Sequence, residues 1–356
     1  MVLSKISYVE LYVFNAFQTA VFYSRAFGFD IIGYGDSTTG LNGKISYILK
    51  SKNIKLVITS SADPDSPVLQ HVLTHDDGVK DVVFVTKDVK FLFQKSIEHG
   101  AIPILEPTEL NDGTQKIIKA TIRAFGGTTH SFVEEYLSND CLPFYKPIDI
   151  PNTCCKTYLE GIDHVAIAVP AGTLYEWQEF YKTIFGFHVF YSENIYLGKS
   201  GMNSVVLANE AENIKFVFVE PVSGEDKSQL ENYIRYNNQS AGVQHLAFLS
   251  KNIINDVELF KSNGINFLDV PDSYYCVSKQ DFFDALEIKL SRIKELNILV
   301  DSEGHDSYIM QIFTKPLQNR PTFFIEIIQR EKASGFGSGN IKALYNAVQD
   351  LHTKIG

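Results

Sequence analysis

Apolar and polar positions follow the same order of strand-like and helix-like periods twice along the chain. In the first half, residues 6–13 alternate with period two, a helical stretch ends within 22–29, and strand patterns follow at 45–49 and 54–60. In the second half, a strand pattern at 162–169 opens the same series again. The series predicts β-α-β-β-β units, and its repetition predicts an α+β fold with two similar domains.

Short sequence matches support this repeat and set its boundaries. The motif F-Y-x-x-x-F-G-F occurs at 22–29 and again at 180–187, and its glycine is a residue that commonly ends a helix. A segment with three prolines separates the two copies. The sequence therefore predicts an N-terminal domain at 1–140, a linker at 141–157 and a C-terminal domain at 158–356.

Three residues of the second half place polar side chains in otherwise apolar strands: His164, His245 and Glu326. Taken alone, each is more often a core residue with a satisfied hydrogen bond than a metal ligand. Their spacing is regular, since 81 residues separate each one from the next. Two imidazoles and one carboxylate form the facial triad of non-haem Fe(II) oxygenases, which leaves coordination positions open for substrate and O₂.

The N-terminal half lacks this combination of side chains. Aligning the halves places Tyr8, Asp81 and Glu134 opposite the two histidines and the glutamate, in that order. If the two histidines were only core residues, there would be no reason for both to be missing together from the N-terminal half. We therefore expect one metal site, in the C-terminal domain, and an N-terminal copy that serves packing or assembly.

Composition and charge exclude several classes of function. The 356 residues carry a net charge of −10, and no basic run indicates a nucleic-acid partner. No apolar run approaches the roughly 18 residues needed to span a bilayer. The chain shows no signal-peptide pattern at its start, and its four cysteines form no C-x-x-C pair, so the expected location is the cytoplasm.

Five motifs together carry a resemblance to a known family. They are G-I-D-H at 161–164, G-V-Q-H-L-A at 242–247, Q-I-F-T-K-P at 311–316, R-P-T-F-F-I-E-I-I-Q-R at 320–330 and G-F-G-S-G-N at 335–340. Through these motifs the chain resembles the 4-hydroxyphenylpyruvate dioxygenase / 4-hydroxymandelate synthase family of the vicinal-oxygen-chelate superfamily. The resemblance implies two βαβββ-repeat domains, an open barrel in the C-terminal one, and Fe(II) bound there by His164, His245 and Glu326. It also implies a homo-oligomer, expected to be a dimer.

The same resemblance implies the chemistry. The substrates are an aromatic 2-oxo acid and O₂, with no separate 2-oxoglutarate, and the family divides by product. Dioxygenases hydroxylate the ring to give homogentisate, whereas mandelate synthases hydroxylate the benzylic carbon. Dioxygenases typically have Pro-x-Asn-Glu-Pro where this chain has Val217 and Val219, and Phe where it has Ile341. The sequence therefore predicts 4-hydroxymandelate and CO₂ from 4-hydroxyphenylpyruvate, with homogentisate as the alternative.

The resemblance further implies ten substrate-pocket residues and a lid. The expected lid is an amphipathic C-terminal helix at 340–353 that excludes water from the site. The pocket residues are the polar Ser204, Gln229, Gln244 and Gln311, the aromatic Phe313, Phe324 and Phe336, and the apolar Val217, Val219 and Ile341.

Two rival interpretations of the chain's function are an enzyme that acts on a different 2-oxo acid and a non-enzymatic binding module.

Overall fold

Two mixed β-sheets, one from each half of the chain, form the framework. The computed structural model describes residues 3–134, 141–150, 156–197, 200–222, 228–275, 290–303 and 307–341. Helices pack against both sheets. None of the helices in these ranges is both long and apolar enough to cross a bilayer.

The N-terminal sheet has nine strands in the order β6-β7-β8-β5-β1-β4-β3-β2-β9. Its last strand, β9, lies within the predicted linker and pairs with β2 as an edge strand. The strands are β1 (Leu3–Tyr12), β2 (Asp30–Gly35), β3 (Ile45–Ser51), β4 (Ile54–Ser60), β5 (Gly78–Thr86), β6 (Pro103–Asn111), β7 (Lys116–Arg123), β8 (Thr129–Val133) and β9 (Lys146–Ile150). The helices of this half are α1 (Ala16–Phe27), α2 (Pro67–His75) and α3 (Val89–Glu98).

The C-terminal sheet has eight strands in the order β11-β12-β13-β10-β14-β17-β16-β15. The expected lid beyond residue 341 lies outside the described residues, and a helical turn begins at Ser338. The strands are β10 (Leu159–Ala168), β11 (His188–Leu197), β12 (Ser200–Ala208), β13 (Lys215–Val222), β14 (Gly242–Ser250), β15 (Leu299–Ser302), β16 (Tyr308–Phe313) and β17 (Phe324–Glu331). The helices are α4 (Leu174–Phe185), α5 (Gln229–Tyr236), α6 (Ile253–Ser262) and α7 (Leu290–Leu296).

Each sheet contains two β-α-β-β-β units, to which the N-terminal sheet adds the edge strand β9, so the predicted repeat is confirmed. The units meet at a central antiparallel pair, β1 with β5 in one half and β10 with β14 in the other. Parallel neighbours flank each pair, namely β4 and β8 in the first sheet and β13 and β17 in the second. The equivalent strands therefore have equivalent neighbours, and residues of the two halves can be matched through the strand registers.

These registers correct one of the three predicted matches between the halves. Val83 pairs with Ser131 on β8, whereas the equivalent Ala247 pairs with Glu326 on β17. The counterpart of Glu326 is therefore Ser131, and the prediction of Glu134 was wrong. The carboxylate of Glu134 instead accepts a hydrogen bond from the backbone nitrogen of Val89, the first residue of α3, at 3.0 Å. The other two matches agree with the registers of the central pairs.

The repeated F-G-F motif ends a helix in both halves, as predicted. Gly28 follows α1 with φ of 78°, and Gly186 follows α4 with φ of 70°. This left-handed conformation strains most side chains and is accessible to glycine. The backbone nitrogen of each glycine donates back into the last turn of its helix, which satisfies carbonyl groups left open there.

The two sheets share one hydrophobic core. Phe84 of the first half lies 6.0 Å from Phe216 and 6.2 Å from Phe185 of the second, measured between ring centroids. Side chains alternate between the faces of a strand, so the face opposite this core points into the interior of each curved sheet. His245 lies on the interior face, and Phe248, which packs on Phe29 of the other half, lies on the core face.

Candidate metal centre

Three adjacent strands at the centre of the C-terminal sheet carry the predicted ligands. His164 lies on β10, His245 on β14 and Glu326 on β17. His164 and Glu326 pair with Ala247 from opposite sides, and His245 precedes Ala247 by two residues on the same face. Because Ala247 carries only a methyl group, the three longer side chains can converge above it.

The donor atoms of these side chains lie close together and are buried. The Nε2 atoms of His164 and His245 each lie 3.2 Å from Oε2 of Glu326 and 3.4 Å from each other. The three residues are 3%, 7% and 1% exposed, respectively. In the parts of the chain that the structure describes, no other group of three His, Cys, Asp or Glu side chains converges in this way.

The electrostatics and the donor set fit a divalent transition metal. Burial by itself raises the pKa of Glu326, but His164 and His245 outweigh it and lower that pKa to about 2. Burial lowers the pKa of His245 and so favours the neutral imidazole, which is the form that binds metal. One ionised carboxylate and two imidazoles are typical ligands of metals that keep open coordination positions.

A buried ion pair orients His164. Asp163 accepts a hydrogen bond from Nδ1 of His164 at 2.8 Å. Because an ionised carboxylate only accepts hydrogen bonds, Nδ1 carries a proton and Nε2 points to the centre. Burial by itself lowers the pKa of His164, but Glu326 and Asp163 raise it to about 9, so a metal that binds at Nε2 displaces a proton there. Arg330 holds Asp163 through two bonds of 2.7 and 2.8 Å. The same guanidinium donates to the carbonyl oxygen of Gly335 and lies 5.0 Å from the ring centroid of Phe336.

A second chain of hydrogen bonds orients Glu326. The amide nitrogen of Gln311 donates to Oε1 of Glu326 at 2.9 Å, which leaves Oε2 facing the histidines. The side-chain oxygen of Gln311 accepts from the amide of Asn340 at 2.9 Å, and Asn340 accepts from the hydroxyl of Tyr274 at 2.5 Å. Asn340 belongs to the helical turn that begins at Ser338, so that turn is connected to the ligand carboxylate.

His245 is held by packing. Its ring stacks on Phe324 with a centroid distance of 4.8 Å and an angle of 24° between the planes. The edge of the ring contacts Phe313, at a centroid distance of 6.1 Å. Within the described residues its Nδ1 is buried and has no hydrogen-bond partner. The packing of the imidazole between these two rings thus directs Nε2 of His245 towards the other ligands.

A cavity opens directly onto the three ligands. Its volume is about 60 Å³. Nine of the ten residues predicted for the substrate pocket line its wall, and the exception is Phe324, which lies behind His245. The nine are Ser204, Val217, Val219, Gln229, Gln244, Gln311, Phe313, Phe336 and Ile341.

Five further residues, which the sequence did not predict, also line the cavity. Period-two alternation could have identified three of them. On β10, Ala166 follows the ligand His164 by two residues, and on β12, Met202 and Val206 lie two residues either side of Ser204. Leu230 lies beside Gln229 on α5, where no alternation points to it. Tyr191 reaches the site from β11, and its hydroxyl hydrogen-bonds that of Ser338 at 2.8 Å. No local sequence pattern predicts this contact.

The polar wall residues differ in what they already bind. Both ends of the Gln311 side chain are engaged, by Glu326 and by Asn340. In contrast, no hydrogen bond within the described residues engages the side chains of Ser204, Gln229 or Gln244, although all three are less than one-tenth exposed. Buried polar groups require partners, so these three are the side chains with capacity for a ligand.

Comparison with known proteins gives consistent matches. The model of the Glyoxalase/Bleomycin resistance protein/Dioxygenase superfamily matches residues 161–290. The chain is 38% identical to a 4-hydroxyphenylpyruvate dioxygenase of Xenopus tropicalis, over 96% of this chain and 90% of that protein. It is 37% identical to the protein of that name in Danio rerio, over 96% and 89%. A mutant of 4-hydroxymandelate synthase from Streptomyces coelicolor matches with a TM-score of 0.88 and 32% identity, over 99% and 100%.

Proposed function

This chain belongs to the 4-hydroxyphenylpyruvate dioxygenase family, and we propose that it is a 4-hydroxymandelate synthase. The proposed reaction converts 4-hydroxyphenylpyruvate and O₂ into 4-hydroxymandelate and CO₂. The observation that carries this choice is the apolar wall at Val217 and Val219, where the dioxygenases typically have a proline and an asparagine.

The proposed cofactor is Fe(II), held by His164, His245 and Glu326. When bound, Fe(II) supplies the redox chemistry and the open coordination positions for the 2-oxo acid and O₂. The chain keeps Glu326 ionised beside two histidines and keeps Nε2 of His164 directed at the site. Phe336, 4% exposed and 5.3 Å from the ring of His164, limits the access of water.

The remaining wall residues position the substrate. Ser204, Gln229 and Gln244 offer side-chain hydrogen bonds for its oxygen atoms, because the described residues leave these groups unengaged. Positioning of this kind decides which carbon reacts when two lie close to the reactive group. We therefore assign the choice of product to the shape of the wall and not to the ligands, which the whole family shares.

The wall favours benzylic hydroxylation. Val219 packs with Leu230, Met202 and, more peripherally, Ile341, and it pairs across the strand with Ser204. A cluster of this composition provides no amide donor at position 219, so one polar anchor for the ring is absent. A ring without that anchor can rotate and present the benzylic carbon to the reactive position.

Homogentisate is the second candidate product. The observation in its favour is the name of the curated relatives, which are 4-hydroxyphenylpyruvate dioxygenases at 38% and 37% identity. Both products have the same atomic composition. Homogentisate requires hydroxylation of the ring with migration of the side chain, whereas 4-hydroxymandelate requires hydroxylation of the benzylic carbon.

Product analysis tests the proposal. The purified chain is loaded with Fe(II) under anaerobic conditions, 4-hydroxyphenylpyruvate and then O₂ are added, and products are separated and assigned by NMR, because the isomers have equal mass. We expect 4-hydroxymandelate. Homogentisate as the main product would replace the proposal with the dioxygenase, and turnover of other 2-oxo acids alone would reject both.

Variants of the wall and of the ligands sharpen this test. Val219→Asn combined with Ile341→Phe should raise the share of homogentisate several-fold, whereas Val189→Asn, at an exposed position on β11, should leave the product unchanged. Glu326→Ala should abolish both iron binding and turnover, with Glu331→Ala at the exposed end of the same strand as control. A Glu326→Ala chain that retains iron would reject the ligand assignment.

A further inference from the structure

We propose that the N-terminal sheet contains a degenerate counterpart of the metal centre, in which the ammonium group of Lys119 takes the place of the metal ion. Tyr8, Asp81 and Ser131 occupy the positions of the three ligands. The C-terminal half of this comparison rests on the proposed metal ligands. The N-terminal half stands on its own contacts and strand registers.

The strand registers establish the equivalence of the three positions. Tyr8 and Ser131 both pair with Val83, from opposite sides, as the first and third ligands do with Ala247. Asp81 precedes Val83 by two residues on β5, as the second ligand precedes Ala247 on β14. Each of these side chains therefore points into the interior of its sheet, as its counterpart does.

The register also assigns a position to Lys119. On β7, Lys119 pairs with Val133, which follows the third position of the N-terminal set by two residues. On β16, Gln311 pairs with Ile328, which follows the third ligand by two residues. Lys119 thus occupies the position of Gln311, the residue that hydrogen-bonds the ligand carboxylate.

The four side chains contact one another. The Nζ of Lys119 lies 3.3 Å from Oδ2 of Asp81 and 3.4 Å from the hydroxyl of Tyr8. The hydroxyl of Ser131 donates to the same Oδ2 atom of Asp81 at 2.6 Å. Two side chains at ligand positions, Tyr8 and Asp81, therefore contact the ammonium group. The third, Ser131, hydrogen-bonds the carboxylate of Asp81.

The ammonium group is buried and remains charged. The side chains of Lys119 and Asp81 are 16% and 5% exposed. Burial by itself lowers the pKa of Lys119, but Tyr8 and Asp81 raise it well above its usual range. The second carboxylate oxygen of Asp81, Oδ1, is buried and has no hydrogen-bond partner within the described residues. A carboxylate in this condition depends on the neighbouring positive charge.

A longer side chain in the N-terminal sheet also replaces a small residue of the cavity wall. Glu10 pairs with Asp81 and corresponds to Ala166, which pairs with His245 and lines the cavity. The carboxylate of Glu10 accepts a hydrogen bond at 2.7 Å from Thr59 on the neighbouring strand β4. At this position a glutamate therefore takes the space that an alanine leaves open in the C-terminal sheet.

A double-mutant cycle tests the internal cation. Lys119→Met leaves Asp81 without its counter-charge, and Asp81→Asn removes the need for one. We expect each single variant to unfold at a lower urea concentration than the parent chain and the double variant to recover much of the loss. The expected coupling is at least tenfold in the unfolding equilibrium constant.

The control for this cycle is Lys116→Met on the same strand, since Lys116 is 59% exposed and pairs with the exposed Glu109. It should shift the unfolding equilibrium constant by less than threefold. Additive effects of Lys119→Met and Asp81→Asn would overturn the proposal, because the ammonium would then not compensate the carboxylate.

Metal uptake provides a second test. A chain with Tyr8→His, Asp81→His, Ser131→Glu and Lys119→Gln should take up one more equivalent of Co²⁺ than a chain with the first three changes that keeps Lys119. Equal uptake by the two folded chains would overturn the proposal. If either chain does not fold, the double-mutant cycle decides. A parent chain that binds no Co²⁺ would count against the proposed metal centre, while the difference between the variants would still test this inference.

Discussion

At the scale of single residues, Asp163 shows how a side chain outside the ligand set controls a ligand. Its carboxylate holds a proton on Nδ1 of His164 and is itself held by two bonds from Arg330. The cost of burying this carboxylate is offset by the guanidinium, which with His164 holds the pKa of Asp163 below its usual range although burial raises it. The ion pair thus keeps a negative charge next to the ligand.

Asp163→Asn should weaken metal binding about 10- to 100-fold, as changes of groups that hydrogen-bond a ligand commonly do. The amide keeps the size of the side chain but removes the charge and presents a donor to Arg330. Competition of the chain with a chelator for Co²⁺ measures the effect. Glu160→Gln, on the same strand and paired with the exposed Lys251 at 3.3 Å, is the control. Unchanged affinity in Asp163→Asn would contradict this role.

Two glutamines of the cavity wall should respond differently to the same substitution. Gln311 is engaged by Glu326 and Asn340, so Gln311→Met should lower the affinity for metal. Gln244 has no hydrogen bond within the described residues, so Gln244→Met should raise KM several-fold with the metal content unchanged. Metal analysis and steady-state kinetics on both variants separate the two roles, and equal effects would show that the distinction is unfounded.

At the scale of the elements, helix α4 depends on a residue distant in sequence for its N-terminal cap. The residue that precedes the helix, Thr173, makes no side-chain cap bond. The carboxylate of Glu220, on β13, accepts from the backbone nitrogens of Gly172 and Leu174 at 2.9 and 3.1 Å. A negative charge at this end also interacts favourably with the helix dipole. Strand β13 and helix α4 are thereby joined next to the cavity.

Glu220→Ala should lower the free energy of unfolding by about 2 kcal/mol, because it removes the cap and leaves the amide of Asn203 without its partner at 3.0 Å. Urea unfolding followed by circular dichroism measures the loss. Glu179→Ala, which breaks a partly exposed pair with Lys182 on the same helix, should change the stability by less than about 0.5 kcal/mol. Similar losses in both variants would contradict a specific cap.

At the scale of the whole molecule, the core shared by the two halves contains a hydrogen-bonded pair of ionisable side chains. His130 of β8 is fully buried and hydrogen-bonded to the hydroxyl of Tyr181 on α4. Its ring lies among Phe84, Phe125 and Phe216. Burial lowers the pKa of His130 to about 4, so the imidazole is neutral in the folded chain near pH 7.

The unfolded chain therefore binds a proton at His130 at a higher pH than the folded chain does, since the unperturbed pKa is 6.5. Its contribution to stability is complete above about pH 6.5 and is lost as the pH falls towards about 4. The loss amounts to about 3 kcal/mol over this window. His130→Gln keeps a partner for Tyr181 and should flatten the decline of unfolding free energy with falling pH.

Urea unfolding at several pH values between 7 and 4 measures this change of slope. His99→Gln, at an exposed position that follows α3, is the matched control and should retain the slope of the parent chain. If the unfolding free energy of the His130→Gln chain fell with pH as steeply as that of the parent chain, His130 would not be a source of the acid sensitivity.

Arg320 joins the two halves at a different point. Its guanidinium donates to the carbonyl oxygens of Leu73 and Thr74 at the end of α2, at 3.0 and 2.8 Å. It also reaches the carbonyl oxygen of Tyr236, the last residue of α5, at 3.4 Å. One cation thus satisfies open carbonyl groups at the ends of two helices, one from each half.

The sequence by itself determined the repeat, the α+β class and the three candidate ligands. Period-two alternation, the F-G-F helix ends and polar residues in apolar strands are local features, and each acts through backbone geometry within a few residues. Two of the three matches between the halves also agreed with the structure. Similarity of pattern was sufficient there because the central strands, β1 and β5, have the same lengths as β10 and β14 and pair in the same register.

Only the tertiary structure decided what surrounds those ligands. The correct counterpart of Glu326, the bond from Gln311 to that carboxylate, and the contact of Lys119 with Asp81 depend on the register between strands, which pattern alone does not specify. The support of His164 by Arg330 joins strands 167 residues apart in sequence. Such contacts form because folding brings distant side chains into one buried space, where every polar group needs a partner.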